Sequence, residues 1–224
     1  MNRYVAIIAL KPHAARDAVR AQHFRQSAEL TAQMQHPNIL PVYDFGQTES
    51  TMYRVSALAE GGTLREDLAW FQDTGQAIEL MKQLAAALEY IHARGYVHGN
   101  LKSTNVLLDA QRRPLISDFG LAQPAGGVPS PYMSPEQVQG GAVDRRADVY
   151  AQGVLLYEML VGAAPAPGVV VSLRGRRPDL PEAIERVVLK SMAQNPDQRF
   201  QSAAEFQAAL ERAVAPPIQP PAPA

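Results

Sequence analysis

The order of apolar and polar positions divides the chain into a short part rich in strands and a longer part rich in helices. Residues 5–10 are a β-branched apolar run that predicts a buried strand, and residues 39–45 and 51–58 predict two more strands. Residues 16–35 carry apolar side chains at mixed three- and four-residue spacing, which predicts a helix. We therefore expect residues 1–58 to form a small lobe of one strand, one helix and two strands.

Helical periodicity dominates the sequence after residue 58. The predicted helices cover residues 76–94, 148–161, 181–192 and 202–214, and two short strands are predicted over residues 106–108 and 114–116. The second of these helices is strongly apolar along its length, which predicts a buried helix. Ser202, with Glu205 three residues later, fits a capping box at the start of the last helix. We expect residues 59–214 to form a helical lobe and residues 215–224, which hold five prolines, to form an extended tail.

The composition is that of an ordinary globular chain, and it narrows the choice of function. Hydrophobic residues make up 46% and charged residues 19% of the 224 positions, and the net charge of −1 gives no reason to expect nucleic acid or an anionic membrane as a partner. The absence of cysteine excludes a disulfide framework and a thiolate metal site. Residues 1–4 lack the shape of a signal peptide, and the apolar run at 5–10 is far too short to span a bilayer. We expect a soluble, cytoplasmic protein with no membrane segment in this chain.

Four motifs follow one another in the helical part at the spacing of one protein family. They are His-Gly-Asn-Leu-Lys-Ser-Thr-Asn at 98–105, Asp-Phe-Gly at 118–120, Met-Ser-Pro-Glu at 133–136 and Asp-Val-Tyr-Ala-Gln-Gly at 148–153. In this order they resemble the catalytic loop, the Asp-Phe-Gly motif, the end of the activation segment and the supporting helix of a protein kinase catalytic domain. His-Pro-Asn-Ile at 36–39 and Asn-Pro-Asp-Gln-Arg-Phe at 195–200 are typical of bacterial-type serine/threonine kinases. The resemblance covers residues 4–214 and implies an α+β, two-lobed kinase-like fold with a truncated N-terminal lobe.

The resemblance carries the family's cofactor chemistry onto a few retained residues. Phosphoryl transfer depends on in-line positioning and on neutralising phosphate charge with Mg²⁺ and cationic side chains. Asn105 and Asp118 match the two positions that hold Mg²⁺, and Lys102 matches the lysine that contacts the transferred phosphate. Ala6, Lys102 and Leu107 match positions that contact ATP. Structural explanations remain open beside these, because Asp118 can set a turn and Asn105 can bond the loop backbone.

The catalytic groups themselves depart from the family pattern. Asn100 stands where the catalytic aspartate belongs, and Ser27 stands where a helix glutamate pairs with a strand lysine. In the register without gaps, Ile8 takes the place of that lysine. A second register would place Lys11 there, but it needs a three-residue deletion before Phe24, so the sequence favours Ile8. None of the three main catalytic positions is therefore intact.

Further departures agree, whereas the residues that support the fold are kept. Gly99 replaces an arginine that would bind an activation-segment phosphate, and Val128 replaces a threonine that touches the catalytic aspartate. Only four residues precede the strand at 5–10, which leaves no room for a glycine-rich loop unless the chain is a fragment with earlier strands upstream. Asp148 is expected to accept backbone N–H bonds from the catalytic loop, and Glu136 and Arg199 are expected to form the family's buried ion pair.

This pattern of retention and loss predicts a pseudokinase that acts as a regulatory or scaffolding module in signalling. The expected partner is a protein, such as an active kinase or its substrate, and no cofactor is required on this interpretation. The edge of the strand at 5–10 is available to pair with a second copy in a homodimer. The alternative is a weakly active serine/threonine kinase that depends on Mg²⁺ and ATP, or a protein that binds ATP without transferring phosphate.

Overall fold

A computed structural model of the protein describes residues 4–15, 17–49, 51–119, 130–169 and 172–215. Its strands are β1 (Val5–Ala9), β2 (Val42–Gln47), β3 (Met52–Ala57), β4 (Val106–Leu108) and β5 (Pro114–Ile116). Its helices are α1 (Pro12–Ala15), α2 (Ala18–Ala32), α3 (Thr74–His92), α4 (Pro135–Val138), α5 (Arg145–Val161), α6 (Glu182–Ser191) and α7 (Ala203–Val214). A small strand-containing lobe therefore precedes a mainly helical lobe, and the predicted α+β two-lobed architecture is confirmed. The predicted tail lies almost wholly outside the described residues.

The small lobe is an antiparallel sheet in the order β1-β3-β2, with α2 packed against β2 and β3. Alternation along β3 turns Met52, Arg54 and Ser56 to the buried face, where they are 8%, 3% and 0% exposed. The prediction of a buried strand at 5–10 was wrong, since Ile7 and Ile8 in β1 are 67% and 41% exposed. The reason is position: β1 is an edge strand, and α2 covers the other two strands.

The predicted helix over residues 16–35 begins later than its apolar pattern indicates. Asp17 adopts an extended backbone, and its carboxylate accepts the N–H groups of Val19 and Arg20. This is the geometry of an N-cap, so α2 begins at Ala18 and the short α1 precedes it as a separate turn.

Residues 38–40, shortly before β2, bond to the helical lobe. Leu40 N–H donates to the carbonyl of Ile116 in β5 at 2.9 Å, and Ile116 N–H donates to the carbonyl of Asn38 at 2.8 Å. For this reason β2 begins at Val42, three residues after the predicted start at residue 39. The Asn38 side chain adds a bond from its amide nitrogen to the Pro114 carbonyl at 3.0 Å. These bonds dock the small lobe on the β4–β5 hairpin.

A close approach of backbones also joins β3 to the helical lobe. Gly61 N–H donates to the Leu108 carbonyl, and Leu108 N–H donates to the Gly62 carbonyl, each at 2.9 Å. A Cβ atom at position 61 would lie 2.6 Å from the carbonyl oxygen of Asp109, so only glycine fits there without displacement.

The helical lobe is built around α5. Every residue from Ala147 to Leu160 is buried, which confirms the prediction of a buried helix. Helices α3 and α6 pack against α5, and α7 packs against α3 and α6. The Ser202 hydroxyl caps α7 by accepting the N–H of Glu205. The Glu205 carboxylate accepts the N–H of Gln201, whereas in a full capping box it would accept the N–H of Ser202 itself. Within the described ranges, every helix is too short or too polar to cross a membrane.

Candidate functional site

The catalytic-loop segment, residues 98–105, is held from below by a buried carboxylate in α5. Asp148 is 1% exposed and accepts the N–H groups of His98 at 2.9 Å and Gly99 at 2.8 Å. Helix α3 adds a further contact, since His92 Nε2 lies 2.7 Å from an Asp148 carboxylate oxygen. The predicted role of Asp148 as the backbone acceptor under this loop is confirmed. The carboxylate fixes the start of the loop and thereby the direction of the residues that follow.

His98 is a structural link between the loop and the end of β5. Its Nδ1 accepts the N–H of Asn100 at 3.1 Å, which places the ring proton on Nε2, and Nε2–H donates to the Ser117 carbonyl at 3.1 Å. Burial lowers the pKa of His98 below its ordinary value, so the ring stays neutral at pH 7. The ring also lies 5.1 Å from that of Phe119, which is fully buried. His98 therefore positions residues 117–119, with both ring nitrogens engaged in hydrogen bonds to the backbone.

Asn100 lies half-buried at the centre of the loop. Its carbonyl accepts a hydrogen bond from the Asn105 side-chain amide at 2.9 Å, which closes the loop on itself. Its own side chain lines a small pocket together with Lys102, Ser130 and Tyr132. No hydrogen bond or ion pair holds the Lys102 side chain within the described ranges. A hydroxyl group in this pocket would meet an amide rather than a base.

The two predicted metal-holding residues are Asn105, which ends the catalytic-loop segment, and Asp118, which follows β5. Asn105 is 6% exposed, and its carbonyl accepts both the N–H and the hydroxyl of Ser117 at 2.9 and 3.1 Å. Asp118 has a φ of 61°, a left-handed backbone that is uncommon for a residue other than glycine and that typically marks a functional or constrained position. The hydrogen bonds of Ser117 bring Asp118 directly beside Asn105.

An arginine from the small lobe reaches the Asp118 carboxylate. Arg54 in β3 places its Nη2 2.8 Å from Asp118 Oδ1, with the two side chains 3% and 31% exposed. Mg²⁺ bound to that oxygen at about 2.1 Å would lie within about 5 Å of the guanidinium, where two positive charges repel. Mg²⁺ takes most of its oxygen ligands from water and phosphate, so Asp118 would be its one charged protein ligand here, and that carboxylate already has a cation. The residues present therefore do not fit the metal, and the magnesium site remains a prediction that this contact argues against.

The structure also places the residues that stand where the family has its strand lysine and helix glutamate. Ile8 is paired directly with Arg54 across β1 and β3, so both side chains lie on the same face of the sheet. Lys11 lies beyond the end of β1 and is exposed, and its carbonyl accepts the N–H groups of Ala14 and Ala15 in α1. In this structure Ile8, rather than Lys11, is therefore the β1 residue opposite Arg54.

Ser27 lies on the buried side of α2, where it is 3% exposed. Its hydroxyl has no hydrogen-bond partner among the described residues, and it cannot supply the charge of a glutamate. Glu29 is turned elsewhere and pairs with Arg25 at 2.8 Å on the outer side of the helix. The predicted ATP-contacting residues Ala6 and Leu107 lie on β1 and β4, both half-buried, and their role stays a prediction. Val128 lies outside the described residues.

Two ion-pair clusters in the helical lobe support the site. Arg199 makes a bidentate pair with Glu136, both N···O distances being 2.7 Å, which confirms the predicted buried pair. The fully buried Glu158 in α5 is a second cluster that the sequence analysis did not anticipate. It contacts Arg65 at 2.6 Å and the hydroxyl groups of Ser103 and Tyr132. Both clusters tie residues 130–136, at the end of the activation segment, to the helical core.

Arg54 was the other residue that the sequence analysis missed. Its signal was its place in β3, where Met52, Arg54 and Ser56 share one face by strand alternation. An arginine on the buried face of a strand needs an anionic partner, because an unpaired buried charge costs more free energy than the packing of the sheet provides.

The fold and the loop geometry define the class of protein. The family model described as the protein kinase domain matches residues 1–209, and the chain belongs to that family. Among curated relatives, the serine/threonine-protein kinase PknB of Mycobacterium leprae is 33% identical over 242 aligned residues, covering 95% of this chain and 39% of the relative. PrkC of Bacillus subtilis is 29% identical, covering 95% and 37%. The chain thus spans less than half the length of these relatives.

Solved structures show the same architecture. A mutant of the PknI kinase domain of Mycobacterium tuberculosis superposes with a TM-score of 0.82 at 29% identity, covering 96% of this chain and 87% of that one. The same domain without that mutation gives a TM-score of 0.79 at 28% identity. These relatives belong to the bacterial serine/threonine kinases that the motifs indicated, and the family characteristically uses ATP and Mg²⁺.

Proposed function

We propose that the chain is a catalytically impaired kinase-like domain that acts as a regulatory or scaffolding module in signalling. The observation that carries this proposal is Asn100, which occupies the catalytic-loop position where the family has an aspartate. An amide can orient a hydroxyl group but cannot accept its proton, and loss of a general base typically costs about 10²–10⁴ in rate.

The phosphate-binding side of the cleft supports the same conclusion. Ile8 and Ser27 offer an apolar group and a hydroxyl where the family has a lysine–glutamate ion pair. Neither group can neutralise phosphate charge, which is most of what a kinase contributes to phosphoryl transfer. The fold-supporting contacts of Asp148 and of the Glu136–Arg199 pair are retained, so the loss concerns chemistry rather than folding.

A second candidate is a weakly active serine/threonine kinase, or an ATP-binding protein without phosphotransfer. The observation in its favour is Lys102, whose side chain is without an ion pair in the described part of the chain and so is free to contact a phosphate. The effects of several lost groups are not additive, so summing their penalties does not set the residual rate at zero.

A phosphotransfer assay separates the two candidates. We would measure transfer of γ-labelled phosphate from Mg²⁺-ATP to the chain itself and to a generic protein acceptor, with an active kinase domain of the family as positive control. Wild type and an Asp118→Asn variant should both stay at background, and Asn100→Asp alone should not restore transfer. Transfer by wild type that Asp118→Asn abolishes would overturn the proposal and support the weak kinase.

A thermal-shift titration with ATP, with and without Mg²⁺, tests binding without transfer. A ligand that binds only the folded state must raise the melting temperature. On the pseudokinase proposal ATP produces no shift at millimolar concentration. A saturable rise without phosphotransfer would assign the chain to the ATP-binding alternative.

The proposed partner is a protein, such as an active kinase or one of its substrates, in the cytoplasm. The feature that supports a protein contact is the outer edge of β1, which pairs only with β3 in the described sheet. Ile7 in this strand and Tyr4 just before it are 67% and 85% exposed. Unpaired strand edges are templates for pairing with another chain, including a second copy. Light scattering on wild type and on an Ile7→Lys variant tests the homodimer, and a wild type that is monomeric at all concentrations argues against it.

A further inference from the structure

Arg54 is a buried cation in a place where the protein kinase motifs require none. It is 3% exposed on the inner face of β3, between Ile8 of β1 and Phe45 of β2 in the strand register. Burying a guanidinium is costly unless a partner compensates its charge. The cost indicates that the contact made by Arg54 is a requirement of this fold.

The partner is the one carboxylate at the cleft end of β5. Arg54 Nη2 donates to Asp118 Oδ1 at 2.8 Å, and no second carboxylate contacts Arg54 in the described part of the chain. The guanidinium and the carboxylate therefore neutralise one another across the two lobes. Ile8 and Ser27 add no charge nearby, so among the described residues the Arg54 cation and the Asp118 carboxylate balance one another.

The pair lies at an uncommon backbone position. Asp118 has a φ of 61°, and it lies between Ser117, which bonds the Asn105 carbonyl, and the buried Phe119. A left-handed residue persists only when its surroundings hold it. Among the described residues Arg54 makes the one charged contact with the Asp118 side chain, and it holds the carboxylate toward the small lobe.

We infer that Arg54 is a built-in cation that replaces the divalent metal in this cleft. It holds the Asp118 carboxylate, fixes residues 117–119, and makes the arrangement independent of Mg²⁺. This inference does not depend on the regulatory role proposed above, since it concerns metal binding and holds whether or not the cleft binds nucleotide.

The test uses the full chain and two metals alone, MgCl₂ and MnCl₂ at millimolar concentration, with the melting temperature as the readout. Wild type should show no saturable shift with either metal. Arg54→Met should melt at a lower temperature without metal, and it should gain a saturable rise with Mn²⁺ because the Asp118 carboxylate is then free. Arg54→Lys keeps a cation and should stay insensitive to metal. Arg54→Met combined with Asp118→Asn should lose the gained response.

A matched control is Arg65→Met, which removes an arginine from the Glu158 cluster and should gain no metal response. If Arg54→Met does not fold, Mn²⁺ binding to wild type by electron paramagnetic resonance decides the question. Saturable Mn²⁺ binding by wild type overturns the inference. A folded Arg54→Met variant that binds no metal also overturns it, since Arg54 would then not be the group that excludes the ion.

Discussion

The Glu136–Arg199 pair offers the sharpest test of how the helical lobe is held together. The Arg199 side chain is fully buried and that of Glu136 is 15% exposed, so a Glu136→Gln change leaves a guanidinium without its counter-charge. Removing one partner of a buried pair costs about 3–5 kcal/mol. Arg199 would keep three carbonyl acceptors, those of Ala193, Arg146 and Gln194, at 2.8, 3.0 and 3.2 Å. We therefore expect the lower end of the range, about 3 kcal/mol.

The assay is thermal unfolding of wild type and Glu136→Gln, followed by circular dichroism. For a chain of this length about 3 kcal/mol corresponds to a fall of about 6–12 °C in melting temperature. Glu182→Gln is the matched control, because Glu182 pairs with Arg186 on the surface with side chains 63% and 65% exposed. Its loss should cost less than about 0.5 kcal/mol. Equal shifts for the two variants would refute the argument that burial sets the cost.

Three further predictions concern single buried positions. Burial lowers the pKa of His98 below 6.5, so the unfolded state binds more protons than the folded state below that pH. The free energy of unfolding should therefore fall by up to about 1.4 kcal/mol per pH unit as the pH drops below 6.5. Urea titrations from pH 7 to pH 5 should show a flatter profile for His98→Phe, and an unchanged profile would contradict the assignment. Gly61→Ala should cost about 1–3 kcal/mol by overpacking against Asp109, whereas Gly175→Ala, whose nearest atom lies at 3.4 Å, should be nearly neutral in the same melting assay. Gln152→Leu should stabilise the protein by about 1–3 kcal/mol, since both polar side-chain atoms of Gln152 are buried without a partner among the described residues; a lower melting temperature would show that an ordered water pairs them.

The elements with strong periodicity were predictable from the sequence because their burial follows their pattern. Helix α5 is mainly apolar and is buried from Ala147 to Leu160, and the two short strands of the β4–β5 hairpin were placed at their observed bounds. The errors in where α2 and β2 begin arose where a local polar contact overrode the pattern. Asp17 begins α2 by capping it, and Leu40 leaves the strand pattern to bond Ile116.

The candidate site was predictable only as far as the motifs reach along the chain. The contacts of Asp148 and the Glu136–Arg199 pair follow from motif positions, since each motif residue has one place in the fold. The pairing of Arg54 with Asp118 has no such origin, because it joins positions 64 residues apart and appears only once β3 and β5 are brought together. Strand alternation could have marked Arg54 as buried, but not which carboxylate it meets.

The docking of the small lobe on β5 has a consequence for how this chain tolerates change. The bonds from Leu40 to Ile116 and from Ile116 to Asn38 run between backbone groups, so any residue other than proline can donate them. The alignment of the two lobes is therefore largely insulated from substitution of the side chains in the cleft. Replacing Ile8 by lysine or Asn100 by aspartate removes none of these backbone bonds between the lobes. The buried Ser27 is different, because a glutamate there would bring an unpaired charge into a position that is 3% exposed.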